Sequence, residues 1–303
     1  RAPAGLGFAL EDRLALRAAV PELFAAQSPA DPYAALPVLR AALEGAAPPA
    51  CADRPRIAVL TSGEGEGSWF EHALLAEALG VPLVRAADLW PRPDGGLEIA
   101  VGGDRQPVDV LYRRFDEAIL PAYRSAVGQP LDVQLTDAVR AGRLGLANVP
   151  GNGVADDVAT FAWVPAMIRF YLGEEPLLAT PRTWVLADPE QLAEARGRLG
   201  ELVLGEVAGY GGRGEVDGRT CGAAELDRLA VAVDAAPHRF VAREPAAEAT
   251  LPVVVDGAVR QCPAVLRVFS VASGGTTTAL PAPWTRVDLG GPVAGSKDTW
   301  LVP

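Results

Sequence analysis

Apolar residues recur at helical spacing from Phe8 to Ala26 (FALEDRLALRAAVPELFAA). Pro21 divides that run, because a proline can start a helix but not sit inside one. Residues 45–55, EGAAPPACADR, break the pattern and read as a linker. The period then changes. RIAVLTSG (56–63) is a short apolar run closed by Ser and Gly, the pattern of a buried strand ending in a turn. SWFEHALLAEALG (68–80) predicts an amphipathic helix that stops at Gly80. VPLVRAADL (81–89) predicts the next strand and turn. LEIAV (97–101) and VDVLYRRF (108–115) predict two more strands, separated by GGDRQP. Strand–helix–strand order with apolar strands predicts a small α/β unit with a parallel sheet.

Further on, TDAVRAGRLG (136–145) predicts a helix capped by Thr136 and ended by Gly145. LANVPGNGVADD (146–157) predicts a strand running into a Gly- and Asp-rich turn. ATFAWVPAMIRFYLG (159–173) is an apolar helix, kinked or begun anew at Pro165. From about 180 the pattern is α+β. ELVLGEV (201–207) reads as a strand, GYGGRG (209–214) as a glycine loop and GAAELDRLAVAVDA (222–235) as a helix. RFVARE, LPVVVDG and AVLRVFSVA read as antiparallel strands. There is no internal repeat and no low-complexity tract.

Charge narrows the function classes. The formal net charge of the 303 residues is −11, which argues against a general nucleic-acid binder, since such a protein needs a basic face to displace counterions. Half the residues are apolar and 21% are charged, an ordinary globular composition. Lys297 is the single lysine, so chemistry that needs two lysines on one phosphate chain is excluded. Cys51, Cys221 and Cys262 are odd in number and widely spaced, which supports neither a disulfide framework nor a zinc site. A reducing, cytoplasmic setting is the expectation. No apolar run approaches the length of a membrane span, and the acidic and basic first residues do not read as a signal peptide. The start at Arg1, without a methionine, suggests a fragment or a trimmed chain. His72 and His238 read as structural, and no serine or cysteine nucleophile stands with a partner histidine.

Several blocks together carry a resemblance. FEHALLAEALGVPLVRAADL (70–89), DVLYRRFDE (109–117), LANVPGNGVADD (146–157), VPAMIRFYLGEEPLL (164–178), GYGGRG (209–214) and GSKDTW (295–300) follow one another in the order and spacing of the circularly permuted ATP-grasp (type 2) family. The chain resembles that family along nearly its whole length. The resemblance implies an α/β fold with a Rossmann-like parallel-sheet unit at 55–150 and an α+β nucleotide lobe at 151–303. Residues 1–54 would be a helical segment following a truncated metal-strand lobe. It also implies ATP and Mg2+ as cofactors. The γ-phosphate would pass to a carboxylate, and an amine, small-molecule or peptide, would then form an amide, as in glutathionylspermidine synthase-type ligases. The permuted family's acidic-x-Asn metal motif would lie upstream of residue 1, with Arg1 matching the arginine just after it.

Phosphoryl transfer needs cations, metal-holding carboxylates and an orienting glycine loop. Gly209, Gly211, Gly212 and Gly214 let backbone N–H groups approach phosphate oxygens, with Arg213 among them; a flexible hairpin turn is the alternative. Glu244 matches the hinge glutamate that meets the nucleotide. Arg113, Arg114 and Asp116 match the family's YRRxD, and Asn152, Asp156 and Asp157 its acidic turn. Arg267 matches the arginine of the family's D-L-R-P-F strand, here VLRVF (265–269), and Lys297 and Asp298 the terminal SKDTW. Lys297 and Arg267 are the catalytic candidates. The blander alternatives are an ion-paired domain joint for Arg113 and Arg114, a helix cap for Asp156 and Asp157, and a core position for Trp300.

The family's cations and metal ligand are replaced. Val158 stands where a lysine follows the two aspartates, Gly205 where a second lysine precedes the glycine loop, and Val265 where an aspartate precedes Arg267. Glu206 adds a negative charge beside the phosphates. No metal ligand is therefore assigned, and ATP and Mg2+ are expected to bind weakly. Three readings follow: an active carboxylate–amine ligase in which arginines take over, a catalytically degenerate binding or scaffolding protein partnering an active paralogue, and a fragment whose missing segment restores part of the site. None of the three takes nucleic acid or membrane as partner.

Overall fold

The computed structural model describes residues 4–27, 29–209, 214–247, 249–290 and 294–301. The chain divides into two units, one of residues 1–150 with 248–303 and one of residues 151–247.

In the first unit, Ile57–Leu60 is buried at every position. A strand with no polar face must be covered on both sides. It lies inside a parallel sheet in the order Leu83–Val84, Ile57–Leu60, Val110–Arg113, Gly145–Ala147. The two-residue side-chain period assigns the faces. Ile57, Val59, Val110 and Tyr112 meet Leu6, Leu10, Leu39, Leu43, Leu75 and Leu79, which come from helices Leu6–Ala19, Ala35–Glu44 and Trp69–Leu79. Ala58, Leu60 and Leu111 meet Leu131, Leu135 and Ala138 of helix Leu131–Arg140 on the other face. Gly80 ends Trp69–Leu79 in the left-handed region at φ 63, as its sequence position predicts. Pro21 is the first residue of the second helix, Pro21–Gln27.

The last stretch of chain returns to this unit as an antiparallel sheet in the order Ala249–Val255, Ala258–Arg267, Trp284–Val287, Gly295–Asp298. Its first hairpin turns through Asp256 and Gly257, both at positive φ, the backbone a two-residue hairpin turn requires. Phe269, Leu280, Ala282 and Trp284 tie it to the Leu6, Leu10 and Leu39 side of the core. The second unit is a smaller antiparallel sheet in the order Val216–Asp217, Val203–Glu206, Phe240–Arg243, Thr183–Val185. Its core is Trp184, Leu186, Leu199, Leu202, Leu204, Val233 and Ala242. Helix Pro189–Arg196 starts on Asp188, whose carboxylate accepts from Glu190 N and Gln191 N.

Four expectations differ from this architecture. The segment separating LEIAV from VDVLYRRF is itself partly strand: Leu89–Pro91, Leu97–Val101 and Asp104–Val108 form an antiparallel meander. Polar Asp104, Arg105 and Gln106 concealed the third strand, which is exposed over most of its length. The helix expected to begin at Thr136 begins at Leu131, so that Leu131, Leu135 and Ala138 share the buried stripe; Gly145 belongs to the next strand. The expected 151–303 lobe is divided, because Phe269, Leu280 and Ala282 pack into the core of the first unit. Helices 6–19 and 35–44 likewise share that core with the 57–113 strands, so packing draws no boundary at residue 54. Among the described residues, no helix is long and apolar enough to cross a membrane.

Candidate functional site

Register sets the first group of candidate residues. Arg267 pairs with Trp284, and Trp284 with Asp298, so the three form one row across three strands. Helix Leu6–Ala19 crosses this row. Arg13, on the helix's buried stripe with Leu6, Ala9 and Leu10, is 1% exposed and donates from Nε to Asp298 Oδ2 at 2.7 Å. Its other donors reach Ala30 O at 2.6 Å and Thr299 O at 3.3 Å. Trp300 Nε1 donates to the same Asp298 oxygen at 2.7 Å. Asp298 is thereby engaged as a structural anchor. Arg267 donates to Ala4 O at 2.6 Å and lies over the Trp284 ring at 5.3 Å, and Trp284 stacks on Phe8.

Lys297 points the other way from this row. It pairs in register with Thr285, and its Nζ donates to Pro252 O at 2.7 Å. One row inward, Val265 pairs with Arg286 and Arg286 with Ser296. Ser296 Oγ donates to Asp12 Oδ1 at 2.6 Å. Burial raises the Asp12 carboxyl above its ordinary range against that hydrogen bond, and the charge of Asp298 adds to the rise. Asp12, Leu16, Leu23, Lys297, Asp298 and Trp300 line a groove of about 600 Å3.

The second group stands at the carboxyl end of the parallel sheet, where open α/β sheets place ligands. Here the arginines are taken up by the protein. Arg114 is buried, pairs with Glu71 at 3.1 Å and donates to the Tyr112 hydroxyl at 2.8 Å. The other Glu71 oxygen accepts from Gly5 N at 2.7 Å and Gly7 N at 3.0 Å. A Cβ on Gly7 would stand 2.6 Å from Glu71 Cγ, so only glycine admits this approach. Arg113 donates to Asn148 O and Phe115 O, and Asn148 Nδ2 returns a bond to Arg113 O at 2.8 Å. Asp116 caps the turn Glu117–Ala122 by accepting from Ala118 N. His72 Nδ1 meets Thr61 Oγ1 at 2.9 Å; burial, then the charge of Arg114, lowers its pKa to about 4.

In the second unit, Asn152 precedes the short helix Gly153–Asp156, and Asp157 caps helix Val158–Met167 by accepting from Ala159 N at 2.7 Å. Val158 N donates to Val207 O at 3.4 Å. That bond joins the acidic turn to the end of strand Val203–Glu206, so the positions of Val158 and Gly205 belong to one neighbourhood. Gly205 is a buried residue of the strand, and Glu206 stands 3.7 Å from Arg239. Gly209 N donates to Glu206 O, Gly214 has φ +75, and Glu244 N donates to Arg182 O. Gly211, Gly212, Arg213 and Arg1 lie outside the described residues.

The described candidate residues thus fall into three groups: Arg267, Lys297 and Asp298; Arg113, Arg114 and Asp116; and, in the second unit, Asn152, Asp156, Asp157, Gly209, Gly214 and Glu244. Sequence reasoning missed Arg13 and the ion-pair role of Glu71. Arg13 carried a signal, because a charge on an apolar stripe needs a buried partner.

A family model described as circularly permuted ATP-grasp type 2 matches residues 1–288. The chain is 40% identical to a putative glutamate–cysteine ligase of Frankia alni, over 99% of this chain and 36% of that protein. It is 37% identical to an uncharacterised protein of Mycobacterium bovis, over 100% of this chain and 56% of that one. The chain therefore spans between about a third and a little over half of the length of these relatives. A glutathione synthetase-like effector of Globodera pallida, solved in apo form, matches 99% of this chain and 69% of its own with a TM-score of 0.61 at 13% identity, a likeness of fold.

Proposed function

The chain belongs to the circularly permuted ATP-grasp type 2 family, and from that premise we propose that it keeps the architecture of a carboxylate–amine ligase with a weakened hold on ATP and magnesium. Its contribution is then to bind a small-molecule or peptide carboxylate or amine, with an active relative supplying phosphoryl transfer. The name of the Frankia alni relative suggests amino acids as the substrate class.

The observation that carries this reading is the environment of Gly205. A Cβ there would meet Val241 Cγ2 at 3.7 Å and Glu215 Cγ at 3.8 Å, which is ordinary contact. Packing leaves room to begin a side chain, yet the position holds no cation. Beside it Glu206 brings a carboxylate, and at the acidic turn Val158 brings no charge. The Val265 side chain offers no oxygen to magnesium, which demands oxygen ligands. These side chains do not fit Mg-ATP, and no catalytic step through either group is assigned to them.

A triphosphate carries about four negative charges, and each missing charge-assisted hydrogen bond costs about 1.5–3 kcal/mol. Two missing together weaken binding by roughly two to four decades. The test is calorimetric titration with ATP and with Mg-ATP. The unmodified chain is expected to bind in the millimolar range or weaker. The double variant Val158→Lys, Gly205→Lys is expected to bind at least about tenfold more tightly. Micromolar Mg-ATP binding by the unmodified chain would overturn the reading and restore an active ligase.

A further inference from the structure

At the amino-terminal end of the parallel sheet, opposite the end where Arg113 and Arg114 stand, a small cavity of about 150 Å3 opens between the linker and the meander. Its walls are mostly polar and carry Arg56, Arg92, Arg143, Asp94 and Asp109. The charges do not balance. Asp109 is held by Arg56: Oδ2 accepts from Arg56 N and Nε, both at 2.8 Å, and Oδ1 from Nη2 at 3.0 Å. Burial alone would raise the Asp109 carboxyl, but the Arg56 hydrogen bonds outweigh it and hold it below its ordinary range. Asp94 Oδ1 accepts from Gly96 N at 3.1 Å. Among the described residues, that leaves Asp94 Oδ2 as the carboxylate oxygen shared by two guanidinium groups, with Arg92 Nη2 at 3.2 Å and Arg143 Nη1 at 3.9 Å. The Arg143 guanidinium is too far from it to donate a hydrogen bond.

We propose that this cavity is a binding site for a small tetrahedral oxyanion of the phosphate class, held by the surplus guanidinium donors of Arg92 and Arg143. A planar guanidinium presents paired N–H donors that match two oxygens of a phosphate. Two such forks around one carboxylate leave a net positive charge in a polar recess, on a chain whose net charge is −11. None of these residues belongs to the nucleotide reading, so the site stands or falls independently of it.

The test uses the chain as it is, with inorganic phosphate as probe, at constant ionic strength balanced by sodium chloride. Calorimetry and thermal unfolding are expected to show saturable binding and a rise in Tm. Arg143→Met should weaken phosphate binding roughly tenfold or more while leaving the fold intact, because the Arg143 guanidinium donates no hydrogen bond to a described residue. Asp94→Asn keeps an oxygen for Gly96 N and removes the competing charge, so it should tighten binding by roughly threefold to tenfold. A gain of affinity is not what loss of a merely structural ion pair would give. The proposal is overturned if phosphate and chloride act alike at equal ionic strength, if Arg143→Met binds phosphate as the unmodified chain does, or if Asp94→Asn weakens binding.

Discussion

Helices Trp69–Leu79 and Val158–Met167 are similar in length and opposite in fate. The first carries Glu71 and His72 and buries both, with Leu75, Ala76 and Leu79. The second is the more apolar, VATFAWVPAM, yet buries none of its residues. Phe161 and Trp163 are exposed, and so are Phe170, Tyr171 and Leu172 in the π-helical turn Ile168–Leu172 that follows. Apolarity supplies a driving force, but burial needs a surface to pack on. Trp69–Leu79 has that surface in the parallel sheet and the helices beside it. Its polar side chains follow inside because each finds a partner: the Glu71 carboxylate with Arg114, Gly5 and Gly7, and the His72 ring with Thr61.

The hardest blow to this comparison is Glu71→Ala. It leaves the Arg114 guanidinium buried beside two unsatisfied backbone N–H groups, and a broken buried pair costs about 3–5 kcal/mol. Urea unfolding should show that loss. Adding Arg114→Met should recover part of it, since the stranded charge is then gone. A loss below about 1 kcal/mol would mean that Glu71 is not the anchor its contacts indicate.

His72 gives a smaller, pH-dependent effect. Its pKa is lowered to about 4 in the folded chain, from 6.5 ordinarily. Below pH 6.5 the unfolded chain takes up a proton that the folded chain refuses. Stability is therefore complete above about pH 6.5, falls as the pH drops and levels off near 4, by up to roughly 3 kcal/mol. His72→Gln should flatten that part of the profile. Identical slopes for the two proteins between pH 7 and 4.5 would remove His72 as the cause.

The smallest expected effect sharpens the other half of the comparison. Phe170 is 81% exposed, so Phe170→Ser should change stability by no more than about 0.5 kcal/mol. A drop of about 2 kcal/mol or more in chemical unfolding would show that this apolar surface is packed against something.

The family and the α/β class were legible in the sequence because they rest on local patterns. The apolar run 57–60, the stop at Gly80, Pro21 at a helix start and the order of the motif blocks need no partner elsewhere in the chain to be recognised. The identities of Val158, Gly205 and Val265, on which the proposal of weakened ATP and magnesium binding rests, were legible for the same reason, since a residue identity needs no partner to be read. What the side chains at Asp298, Arg267 and Arg114 hold was decided by the tertiary structure. Arg13 and Asp298 are separated by 285 residues, Arg267 and Ala4 by 263, and Glu71 and Gly5 by 66. Hydrogen bonds and ion pairs act over a few ångströms, so a charge reveals its partner only when the chain has folded the two together. The same holds for the helix that starts at Leu131 and for the return of residues 249–301 to the first unit. Sequence supplied the apolar periodicity, and the choice of which surface that periodicity would cover belonged to packing between distant segments.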